Sequence, residues 1–120
     1  MTLNELIDIQ RNFDGEHKGK FCWNEKVSGD NLEILEFLII ALIGEVGEMS
    51  NLVKKVIRGD FMLDEKKDEL SEELADVLAY LLKLSYQLDI DLEKAYLNKM
   101  VKNKERFQKY ELQGKRGSKK

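Results

Sequence analysis

The chain has 120 residues, is 42 % apolar and 36 % charged, contains no proline and carries a formal charge of −3. That length holds one compact domain rather than two, the composition excludes a disordered or fibrous chain, and so mild an acidity argues against a nucleic-acid coat with a basic face. The single Cys22 cannot form an intramolecular disulfide and fits a reducing cytoplasm; the opening "MTLNELIDIQ" lacks a secretory pattern, and the longest apolar run, Phe37 to Ile43, falls far short of the ~20 residues of a membrane span.

Four helices are predicted. The first covers about residues 3–12: Thr2 and Glu5 have capping-box spacing, and Leu3, Leu6, Ile7 and Gln10 mark one face. Residues 13–30, "FDGEHKGKFCWNEKVSGD", break the period with three glycines and form a long loop holding the only His and the only Trp; loops of such length are often functional. The second helix starts at Asp30 or Asn31, runs over about 31–58 and stops at Gly59 in a left-handed conformation. Gly44 and Gly47 could bend it or admit another backbone. Asp64 caps a third helix, 65–88, and Asp91 caps a fourth, 92–110. The tail 111–120, "ELQGKRGSKK", is basic and expected to be flexible. The fold class is therefore all-α, a single four-helix bundle-type domain over 1–110. Helix two is apolar nearly all round between Leu35 and Ile43, more than one stripe can bury, so self-association is expected, the alternative being a central helix enclosed by the other three.

Within that apolar helix, "ALIGEVGEMSNLV" places Glu45 and Glu48 three apart on a face shared with Leu38, Ala41, Leu42, Met49 and Leu52. Helix three repeats the device in "SEELADVLAYLLKL", where Glu69, Glu73, Asp76 and Tyr80 form a narrow strip beside Leu70, Leu74, Val77, Leu78, Leu81 and Leu84. Paired carboxylates at the edge of a core oppose each other's ionisation. A hard divalent cation with oxygen ligands offsets that cost, and Mg²⁺ is commonly held by a few carboxylates, water and substrate phosphates. Glu45, Glu48, Glu73 and Asp76 are thus the candidate metal ligands, with Mn²⁺ as a substitute. Solvated surface decoration, with Lys66, Lys67 and Lys83 as pairing partners, is the plainer alternative for the helix-three pair. Di-iron chemistry is disfavoured because neither acidic pair is followed by the histidine that Glu-x-x-His sites use.

Glu-x-x-Glu, a spacer, Glu-x-x-Asp and then Lys-x-x-x-Asn-x-x-Arg, here Glu45 and Glu48, Glu73 and Asp76, and Lys99, Asn103 and Arg106, resemble the pattern of the MazG-like all-α nucleoside triphosphate pyrophosphohydrolases, over residues 31–107. The resemblance implies a Mg²⁺-dependent cleavage of an NTP by water to NMP and pyrophosphate, and a dimer or dimer of dimers. A pool-cleaning role follows from it, with dCTP or dUTP as candidate substrates. In the dCTP-cleaving branch an aromatic follows the last acid by four residues, the position of Tyr80, and a His and a Trp lie upstream, for which His17 and Trp23 are the counterparts.

Chemically, divalent ions between four acids and a polyphosphate remove their mutual repulsion. Glu45 or Glu48 could activate the attacking water. Lys99, Asn103 and Arg106 share one helix face suited to phosphate, and Lys54 or Lys55 could assist. Phe21, Trp23 and Tyr80 could stack on the base, the plainer alternative for Phe21 and Trp23 being to pin the loop to the core. The expected setting is cytoplasmic, with neither nucleic acid nor membrane as partner. A helical interaction module, or a metal-binding bundle without nucleotide chemistry, is the alternative reading.

Overall fold

The computed structural model describes residues 1–17, 19 and 24–118, with side chains through Leu112. Four helices occur: α1 (Leu3–Glu16), α2 (Leu32–Arg58), α3 (Leu63–Gln87) and α4 (Leu92–Ser118), with no strand among the described residues. The chain divides into two compact units, Met1–Ile90 with α1, α2 and α3, and Asp91–Lys120 with α4.

Local chemistry sets most helix ends. The Thr2 hydroxyl accepts from the Glu5 amide at 3.2 Å and starts α1. Asn31 precedes α2 but turns its side chain backwards: Oδ1 accepts from the Ser28 amide at 2.7 Å and Nδ2 donates to the Lys26 carbonyl at 2.8 Å. It organises the incoming turn rather than the helix amides. At the far end Gly59 has φ of 93°, a region costly for any residue with a Cβ. Its amide donates to Val56 O at 3.0 Å and that of Asp60 to Lys55 O at 3.0 Å, satisfying the last carbonyls of α2. Helix α4 opens on Asp91, whose Oδ1 accepts from the Lys94 amide at 3.0 Å.

Three boundaries differ from the sequence reading. Helix α1 continues one turn past Asn12 to Glu16, because Asp14 is captured in the core. Helix α3 begins at Leu63, so Asp64 lies inside its first turn, where a negative charge is favoured by the helix dipole; Glu65 reaches back to the Met62 amide at 3.4 Å. Helix α4 runs through the basic tail to Ser118, as that stretch contains no proline to stop it.

In the first unit α3 packs against both α1 and α2. Ile7 of α1 meets Leu82 and Tyr86 of α3, with Leu3 and Leu6 beside them. Ile34 and Leu38 bury the start of α2. Gln87, fully buried, ties the segment before α2 to the end of α3: its Nε2 donates to Glu25 O at 2.9 Å and its carbonyl accepts from the Val27 amide at 2.7 Å. Lys26 adds a bond to Tyr86 O at 3.1 Å and an ion pair with Asp89.

The greasy girth of α2 is only partly covered within the chain. Ile40 is 60 % exposed, Ile43 63 % and Ile57 81 %. Among the described residues of the chain no neighbour crowds the α2 glycines: a Cβ built on Gly44 or Gly47 would meet nothing within 4 Å. No helix among the described residues is long and apolar enough to cross a membrane.

Candidate functional site

The packing of α2 on α3 brings carboxylates from both helices together. Glu45, Glu73 and Asp76 each offer an oxygen within 4.8 Å of the others. Glu45 and Glu73 are half-buried and Asp76 is exposed, the placement expected of acids standing at the edge of an apolar stripe. Glu45 Oε2 and Glu73 Oε2 are buried and accept no hydrogen bond from the described residues. Leaving such oxygens unpaired is costly.

Glu48 stands one turn along α2, exposed and outside this group of three, on the wall of an open pocket of about 490 Å³ with Gly44, Gly47, Ser50, Asn51 and Lys54. Its charge nevertheless acts on the cluster. Burial first, and then the charges of Glu48, Asp76 and Glu73, raise the Glu45 carboxyl above its ordinary range. Burial followed by the charges of Glu48 and Asp76 does the same for Glu73. Glu69, one turn before Glu73, is instead neutralised by Lys66 at 3.0 Å, and Lys67 pairs with Asp64 at 3.2 Å.

The donor set fits a hard divalent cation. Among the described residues it consists of carboxylate oxygens alone, from two helices, and two of these residues each have a buried oxygen with no donor among the described residues. The same reasoning disfavours softer metals, which take sulfur or imidazole ligands.

A cavity of about 230 Å³ adjoins the acids, lined by Glu45, Asp76 and Tyr80 and extending to Gln10, Phe13, Asp14, Phe37, Ala79 and Lys83. The Tyr80 phenol is held neutral, its pKa raised by burial and then by the charges of Glu45, Asp76 and Asp14. Deeper in, Asp14, only 3 % exposed, accepts from Lys83 Nζ at 2.9 Å, from the Tyr86 hydroxyl and from Gln10 Nε2 at 3.0 Å. Burial and the Asp14 contact push the Tyr86 hydroxyl well above the usual tyrosine range.

This corrects the reading of Lys83 as a surface partner: it is 6 % exposed and pairs across 69 residues with Asp14. Neither Gln10, Asp14, Phe13 nor Phe37 was singled out from sequence as a site residue. A signal existed, since Gln10 and Asp14 continue the Leu3, Ile7 row at intervals of three and four once α1 is extended past Asn12.

The remaining sequence candidates are placed as follows. His17 ends α1, its Nδ1 2.8 Å from Phe13 O and its ring stacked on Phe13 with centroids 4.2 Å apart. It is not among the residues lining the cavity. Trp23 and Phe21 lie outside the described residues. Lys54 is exposed beside Glu48. Lys99, Asn103 and Arg106 belong to α4 in the second unit, Asn103 half-buried and the two bases exposed, with the Arg106 guanidinium 5.4 Å from the centre of the Phe107 ring.

Residues 35–110 match the family described as the MazG nucleotide pyrophosphohydrolase domain. The chain belongs to this family. Its all-helical architecture agrees with that membership, and MazG-family enzymes depend on divalent metal. Among curated proteins, the "Gene 37 protein" of Mycobacterium phage L5 is 38 % identical over 82 residues, spanning 64 % of this chain and 72 % of the relative. No solved structure gives a significant match.

Proposed function

We propose that the protein is a Mg²⁺-dependent nucleoside triphosphate pyrophosphohydrolase, cleaving a (d)NTP with water to (d)NMP and pyrophosphate. Mn²⁺ is expected to substitute for Mg²⁺. The observation that carries this reading is the convergence of Glu45, Glu73 and Asp76, with Glu45 and Glu73 oxygens that are buried and have no donor among the described residues, in a chain of the MazG family. These three acids would hold the divalent ion, which when bound would supply charge neutralisation for the polyphosphate and for the oxygens that gain charge in the transition state.

Glu48 is assigned as the base. It lies outside the group of three, yet close enough that its charge raises both Glu45 and Glu73. There it takes a proton from the attacking water as the water oxygen bonds to the α-phosphorus and pyrophosphate leaves. Glu45, whose carboxyl feels the charges of Glu48, Asp76 and Glu73, would orient that water as well as bind metal. Tyr80 supplies a neutral aromatic face beside the acids. Lys54, and the α4 face of Lys99, Asn103 and Arg106, are assigned to phosphate contact, and Trp23 and His17 to contact with the base.

Pyrimidine deoxynucleotides such as dCTP and dUTP are the proposed substrates, removed or held in balance within a cytoplasmic pool. The exposed isoleucines of α2 are proposed to be covered by a second copy of the chain, as a dimer or dimer of dimers. A panel of canonical nucleotides incubated with Mg²⁺ and read by product identity tests the activity. NMP and pyrophosphate in equal amounts, abolished by chelation, are the expected products. A chain that binds Mg²⁺ and releases no pyrophosphate from any of them is instead a metal-binding helical module.

A further inference from the structure

The cavity beside the acids carries features that metal and phosphate chemistry leave unused. At about 230 Å³ it is smaller than the ~300–1,000 Å³ of pockets that enclose drug-sized ligands, and so suits one ring rather than a whole nucleoside. Phe13, Phe37 and Tyr80 give it aromatic walls, which present flat apolar surface to a planar ligand.

Its polar wall has a fixed direction. Asp14 is a carboxylate whose two oxygens already take three donors: Gln10 Nε2 on Oδ1, and Lys83 Nζ and the Tyr86 hydroxyl on Oδ2. A carboxylate in that role only accepts, so the Gln10 amide must turn its NH₂ toward Asp14. The Gln10 carbonyl oxygen then points away from Asp14, with no hydrogen bond from the described residues. Asp14 is itself pinned by a buried ion pair and a buried phenol, so flipping this amide would set Gln10 Oε1 against a fixed carboxylate oxygen and lose its hydrogen bond.

We infer that Gln10 reads the base: held in one orientation by Asp14, its Oε1 accepts a hydrogen bond from an N–H on the edge of a pyrimidine ring lodged in this cavity. Asp14, which does not touch the ring, is the positioning residue. This rests on the pyrophosphohydrolase reading above and deepens it. The cytosine amino group and the uracil ring N–H are both such donors, whereas 2-pyrimidinone has neither.

The test uses the full chain with Mg²⁺ and four triphosphates: dCTP, dUTP, the 2-pyrimidinone deoxynucleotide and a base-free deoxyribose triphosphate. Gln10→Met should lower kcat/KM for dCTP and dUTP by about 5- to 10-fold, the worth of one neutral hydrogen bond, chiefly through KM. It should leave the 2-pyrimidinone and base-free substrates unchanged. Asp14→Asn, which lets the Gln10 amide flip, should erase the preference for dCTP over the 2-pyrimidinone nucleotide. Gln10→Glu, which keeps an acceptor, should retain more of that preference than Gln10→Met. An equal loss on all four substrates, or no loss on any, overturns the inference while the pyrophosphohydrolase reading stands. A wild-type chain that cleaves none of the four overturns that reading, and this inference with it.

Discussion

Two groups of acids meet at α3, one reaching it from α1 and one shared with α2, and they are solved in opposite ways. Asp14, docked against the C-terminal half of α3, is saturated by a lysine, a tyrosine and a glutamine. Glu73 and Asp76 stand seven or more residues before Lys83 on the same helix, joined by Glu45 of α2, and the buried oxygens of Glu45 and Glu73 take no hydrogen bond from any described residue. Burial alone therefore does not mark a site. A buried carboxylate with its partners in place is architecture, and one whose partners are missing is an opening for a ligand.

The sharpest way to break this contrast is to remove the satisfied partner. Asp14→Ala should destabilise the fold by about 3–5 kcal/mol, the usual cost of leaving half of a buried ion pair behind, measured by urea unfolding at neutral pH. Glu73→Gln should behave differently: folded as well as wild type, yet slower in pyrophosphate release by on the order of 100-fold, since a bound ion stabilises transition-state charge by several kcal/mol and ~1.4 kcal/mol is tenfold. If Glu73→Gln unfolds and Asp14→Ala does not, the roles have been read the wrong way round.

A third test follows from the raised carboxyls. Glu45 and Glu73 hold protons more tightly in the fold than in the unfolded chain. Their contribution to stability is therefore fully present below the ordinary value near 4.5 and is lost as pH rises through their raised values. Metal-free protein should accordingly lose this contribution toward neutral pH, and Glu45→Gln should recover it, visible as a higher midpoint than wild type at pH 7 and a smaller difference at pH 4. Added Mg²⁺ should stabilise wild type at pH 7 and do little at pH 4. A smaller effect is expected on the outer face of α2, where Ile43→Ser should change monomer stability by no more than about 0.5 kcal/mol yet weaken self-association in sedimentation analysis.

The contrast also explains what was legible from sequence. The four acids were found because each pair repeats at i, i+3 inside an apolar period, a local pattern that survives without knowledge of the fold. The helix caps at Thr2, Gly59 and Asp91 are local in the same sense. Asp14 and Lys83 escaped because their meaning lies in a pairing across 69 residues: each taken alone is an ordinary polar residue beside a glycine or a run of leucines. Ending α1 at Asn12, because the three glycines and mixed polarity of residues 13–30 break the period, hid the turn that carries Asp14 onto the buried face. Lys99, Asn103 and Arg106 were legible only as a motif, and their place on one face of α4 leaves the phosphate role to be tested by substitution.

Calorimetric titration of Mg²⁺ into the full chain at neutral pH, for wild type and for the Glu45→Gln/Glu73→Gln double variant, reaches the central claim most directly. Saturable binding to wild type that disappears in the folded double variant is the predicted result. Equal binding by both proteins, or triphosphate cleavage by a wild type that takes up no divalent ion, would contradict it.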